Sequence, residues 1–87
     1  MHATYSPDVN MAYLYLTNDS EDGRVGHTEP LIIDLPNGSR RLINLDFDTD
    51  GRLVGVEVDG ARGGLPASLL ASAQRGGTTG PGDMPAR

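Results

Sequence analysis

The stretch DFDTDGRLVGVE, residues 46–57, places Asp46, Asp48, Asp50, Gly51 and Glu57 at the spacing of an EF-hand calcium loop. Such a loop holds its ion only when a helix on each side brings the ligands together. The preceding RRLINL (40–45) instead alternates apolar and polar residues with period two, which is a strand pattern. The following VDGARGG (58–64) has three glycines in seven residues, which argues against a stable exiting helix. Both flanks therefore read as strands, and the stretch becomes a β-hairpin whose turn is DTDG (48–51). Its Asp residues bond to nearby backbone N–H groups, and Gly51 takes a positive φ without steric cost. Asp46 and Glu57 then lie on the polar faces of their two strands, with Arg52 nearby as a charge partner. Coordination of a cation by Asp46, Asp48, Asp50 and Glu57 without helices remains the alternative reading.

The rest of the chain shows the same period. HATYS (2–6) is a short strand closed by Pro7, followed by a polar connection in which Asp8 and Asn10 bond back to nearby backbone. AYLYLT (12–17) sends Ala12, Leu14 and Leu16 to one face and Tyr13 and Tyr15 to the other. NDSEDG (18–23) is an acidic loop. RVGHTEPLIIDL (24–35) contains Pro30, which restricts it to a sheet edge or breaks it. PNGS (36–39) predicts a two-residue hairpin, because Asn-Gly suits positive φ at both positions. RRLINLDF (40–47) sets Ile43, Leu45 and Phe47 against Leu42, Asn44 and Asp46, and RLVGVEV (52–58) groups Val54, Val56 and Val58. GARGG (60–64) reads as a linker. LPASLLASAQR (65–75) is the one helical stretch, with Pro66 in its first turn and Leu65, Leu69 and Ala73 on one stripe. These patterns predict an α+β fold, a small and mainly antiparallel meander of about four to five strands with one C-terminal helix packed on one face.

The 87 residues allow one domain, expected over 1–74, with a Gly/Pro-rich flexible tail over 75–87. A core of this size supplies only about 3–5 kcal/mol, and the chain has no cysteine for disulfides or a thiolate metal site. Pairing with a second copy is the simplest source of further burial, so a homodimer is expected. Seven Arg, no Lys and twelve acidic residues give a net charge of −5. That balance opposes binding to duplex DNA or an anionic membrane, and the only basic pair, Arg40–Arg41, fits the solvent face of a strand. The N-terminal residues lack the pattern of a secretion signal, and no segment has about 18 consecutive apolar residues, so a cytoplasmic location is expected.

Two stretches carry a family resemblance. TYSPDVNMAYLYLT near the start and INLDFDTDGRLVGVEVDGA in the second half resemble the domain of unknown function 2283 family of small bacterial proteins. Tyr5, Asn10, Ala12, Tyr13 and Leu14 match the first family pattern, with Ser6 and Asn10 standing where Asp is usual. Asp46, Asp48, Gly51, Leu53, Val54, Gly55, Val56, Glu57 and Val58 match the second, and Asp59 stands where an apolar residue is usual. EPLIIDLPNGSRR is a longer middle than the pattern has. The resemblance implies a compact β-rich fold with a C-terminal helix and no established activity. Some members resemble partners of small toxin-like proteins, so an antitoxin-like protein partner is also implied.

The side chains offer little catalytic chemistry. No Ser-His-Asp or Cys-His set is present, and no cofactor motif is found; GARGG lacks the Lys of a phosphate loop. His27 and Glu29 share a strand face, giving two metal ligands without a third. Asp46 and Glu57 would form an acid–base pair if they were buried cross-strand neighbours. The first expectation is a non-enzymatic interaction domain, dimerising through strands or through the Tyr face. The second is a small-molecule binder or minor enzyme with a pocket between sheet and helix, using Tyr13, Tyr15, Asp46 or Glu57.

Overall fold

The computed structural model of the protein describes residues 2–17 and 25–75. The acidic loop expected over 18–23 lies outside the described residues. So does the tail expected over 75–87, apart from Arg75. Five antiparallel strands are formed: β1 (His2–Ser6), β2 (Met11–Tyr15), β3 (His27–Asp34), β4 (Arg40–Phe47) and β5 (Leu53–Asp59). Two short helices follow, α1 (Ala61–Gly64) and α2 (Ala67–Ser72), and then a two-residue strand, β6 (Gln74–Arg75), parallel to β1. The sheet is open, in the order β3-β4-β5-β2-β1-β6. Among the described residues no helix is long and apolar enough to cross a membrane.

Only β3–β4–β5 is a meander. The β1–β2 hairpin joins it through β2, which pairs with β5 from Met11↔Asp59 to Tyr15↔Gly55. β5 is thereby central, as its run of valines requires: Val54 and Val58 are buried, and both edges of the strand are paired. The register sorts the side chains into two faces. Tyr5, Ala12, Val58, Ile43 and Leu31 form one cross-strand row, while Thr4, Tyr13, Glu57, Asn44 and Pro30 form its neighbour on the opposite face.

Both hairpin turns of the meander have the same design. Leu35 N–H bonds to the Ser39 carbonyl and Gly38 N–H to the Leu35 carbonyl; Asp48 N–H bonds to Arg52 and Gly51 N–H to Asp48. Each is a turn followed by a glycine of positive φ, 93° at Gly38 and 84° at Gly51. The two-residue loop expected from Asn37-Gly38 is thus a three-residue one, Pro36-Asn37-Gly38. Pro36 presets the first turn position, so only the glycine needs a positive φ. Past the DTDG turn, the register slips by one residue at Val54: Asp46 faces Gly55, and Phe47 faces Leu53.

The C-terminal region differs from the single helix expected over 65–75. GARGG is no linker, because Ala61–Gly64 makes one helical turn in spite of its glycines. The cap comes from across the sequence. Asn10, in the left-handed region at φ 56°, accepts Gly60 N–H (2.9 Å) and Ala61 N–H (3.0 Å) on its carbonyl and Arg62 N–H (2.9 Å) on its side chain. Three orphan donors of the helix start are satisfied by one residue of the β1–β2 turn. α1 lies on the Val58 face: a side chain at Gly64 would touch Val58, and Arg62 bonds to the Tyr5 hydroxyl at 3.2 Å. Ala61 is fully buried there. The second turn begins only after Pro66, whose extended conformation separates α1 from α2.

Candidate functional site

The residues singled out from sequence, Tyr13, Tyr15, Asp46 and Glu57, share one sheet face. Tyr13 is opposite Glu57, Tyr15 is opposite Gly55, and Gly55 is in turn opposite Asp46. This is the face away from α1, because Ala12, the neighbour of Tyr13, lies in the row with Val58 and Tyr5. No pocket lined by these four residues lies between the sheet and α1. Tyr5 points to the other face and does not join them.

Tyr13 lies across the central strand. A Cβ at Gly55 would overlap its hydroxyl and ring, so the missing side chain is what lets the phenol cross β5. The hydroxyl donates to Asp46 Oδ2 at 2.5 Å, and Thr28 on β3 donates to Asp46 Oδ1 at 2.6 Å. Both carboxylate oxygens are thus held by hydroxyls from strands on either side. Glu57 accepts from Asn44 Nδ2 at 2.7 Å. Tyr15 meets Tyr13 edge to face at 4.6 Å between centroids, and His2 stacks on Tyr15 at 4.4 Å.

Desolvation raises the Tyr13 pKa well above the ordinary value near 10; the hydrogen bond and charge of Asp46 add to the rise, with smaller contributions from Tyr15 and Glu57. Tyr13 is consequently a hydrogen-bond donor rather than a base. Asp46 and Glu57 are diagonal rather than direct cross-strand neighbours, and each has its own neutral donor. The arrangement ties β2, β3 and β4 together across this face.

The remaining candidates lie elsewhere. Asp48 and Asp50 belong to the turn, and both bond to Arg52, at 3.0 and 3.1 Å. Arg52 therefore serves the turn and not Asp46 or Glu57. Asp48 Oδ1 also accepts the Asp50 and Arg52 N–H groups, each at 2.9 Å. Its pKa is lowered, first by the Arg52 N–H bond and further by the Asp50 N–H and the Arg52 guanidinium. His27 and Glu29 bond to one another at 2.9 Å on an exposed strand. Among the described residues no group of three or more His, Cys, Asp or Glu side chains is arranged to hold a metal.

Sequence reasoning missed Thr28, Asn44 and His2 as members of the Tyr13 cluster. Each enters through strand pairing, and once β3 is known to pair with β4, Thr28 falls opposite Asp46. A family model described as "Protein of unknown function (DUF2283)" matches residues 2–62. No curated protein and no solved structure matches the chain. The matched region covers β1 to β5 and the start of α1, and so includes every residue of the Tyr13 cluster.

Proposed function

This chain belongs to the family of proteins of unknown function DUF2283, and from that premise we propose that it is a non-enzymatic interaction domain that works as a pair of identical copies. One observation carries the reading. No large side chain is fully buried among the described residues, while one β-arm exposes apolar side chains on both faces, Leu31, Ile33 and Leu35 on the α1 side and Ile32 and Leu42 on the Tyr13 side. All eight residues of β3 are exposed. A chain with so thin a core and no disulfide gains the burial it lacks by association. The Tyr13 face, where two carboxylates are held by neutral donors and Ile32 and Leu42 are exposed, is left for a protein partner of a different kind, as in an antitoxin-like module.

Folding coupled to pairing makes stability depend on concentration. The melting midpoint should rise by several degrees when the protein concentration is raised about a hundredfold. A midpoint that stays fixed over that range would remove the paired reading.

A further inference from the structure

The β3–β4 arm offers three ways to pair: along the free edge of β3, across the α1-side face, or across the Tyr13-side face, where Ile32 and Leu42 lie beside an Asp34–Arg40 ion pair already closed within the chain. The edge is interrupted. Leu35 N–H bonds to Ser39, so Leu35 and the residues alternating with it, Ile33, Leu31, Glu29 and His27, carry the ladder to β4. Thr28, Pro30, Ile32 and Asp34 then direct their backbone groups outward. Pro30 has no N–H, which explains how it fits within β3 without costing a ladder bond, and it leaves a gap in the middle of the free edge.

The face on the α1 side has no such gap. Leu31 stands opposite Ile43 and Glu29 opposite Leu45, with Ile33 next along β3. α1 reaches this face at Tyr5, Val58 and Arg41, and Leu31 and Ile33 are each left 36% exposed. Building on the paired reading, we propose that a second copy of the chain docks on this face, with Leu31, Ile33, Ile43 and Leu45 packed against the same residues of the other copy. The charges favour that occupant. Arg41, opposite Ile33, and Glu29, opposite Leu45, flank the Leu31–Ile43 pair on its two sides along the strands. A two-fold axis running across the strands brings each Arg41 beside Glu29 of the second copy. An isologous contact requires this self-complementarity, whereas a uniformly charged partner would leave one end opposed by like charge. Within one copy Glu29 already bonds to His27 and Arg41 to the Gly63 carbonyl, so the contact would add an ionic partner to each, against the long-range repulsion of a net charge of −5.

Light scattering on the full chain and three variants tests the assignment, with circular dichroism to check each fold. Ile33→Asp should raise the dimer dissociation constant about a hundredfold or more. Glu29→Lys, at an exposed position outside the core, should raise it about tenfold at low salt and less at high salt. It keeps the test open if Ile33→Asp fails to fold. Ile32→Pro should leave the dimer intact, because the Ile32 N–H serves only the free edge. A dimer that survives both Ile33→Asp and Glu29→Lys would overturn the face assignment, and its loss on Ile32→Pro would move the contact to the edge; either result leaves the paired reading standing. A monomeric wild type would remove both.

Discussion

Gly55 and Tyr13 show how a single missing side chain organises a sheet face. The phenol occupies the space a Cβ would take, crosses the central strand and donates a hydrogen bond to Asp46. Gly55→Ala should therefore cost about 2 kcal/mol in urea unfolding, the scale of overpacking a filled site. A loss below about 0.5 kcal/mol would mean that the ring is not held there. Asp48 gives a second test at this scale. Its folded pKa lies below the ordinary value near 3.8, so its stabilising contribution is complete above that value and lost as pH falls through the lowered one. Asp48→Asn should accordingly flatten the acid limb of the stability profile, seen as urea midpoints that change less than wild type between about pH 5 and pH 2. The sequence made both turn Asp residues and Gly51 legible because turn chemistry is local. The Tyr13–Asp46 bond joins residues 33 apart, and its partners emerge only from strand order.

β2, β4 and β5 were legible from their alternation, which β3 with its wholly exposed residues lacks. Pro30 left β3 as either an edge strand or a broken one, and the structure takes the first. The order of the strands was not legible, because nothing in β2 alone says that its partner will be β5 rather than β3. The C-terminal helices were misread for a related reason. Propensity correctly disfavours ARGG as a helix, yet Asn10 caps it through three bonds from the β1–β2 turn. This makes Asn10 a separable test. Asn10→Gly keeps the left-handed backbone and loses the side-chain cap to Arg62, for an expected cost of about 1 kcal/mol. Asn10→Ala adds the strain of a Cβ at positive φ and should cost about 2–3 kcal/mol. Equal losses in chemical denaturation would show that the backbone conformation at Asn10 is immaterial.

At the scale of the whole molecule, the calcium-like DFDTDGRLVGVE is sheet and turn, and the core beneath the sheet is thin. The acidic stretch forms the tip and arms of a hairpin in a six-stranded open sheet, and the sheet's described core is Ala12, Tyr13, Val54, Val58 and Ala61. Two of those five are alanines, so little apolar surface is removed from water, and the apolar residues of β3 and β4 remain to be covered. The sequence indicated this shortage through its length and lack of cysteine, while the place of the exposed surface followed only from β3 lying at the edge. The most direct measurement is the mass of the full chain in solution, by sedimentation velocity at rising concentration. A paired domain sediments as a species of twice the 9.2 kDa chain mass. A single species of 9.2 kDa up to about millimolar concentration would contradict it.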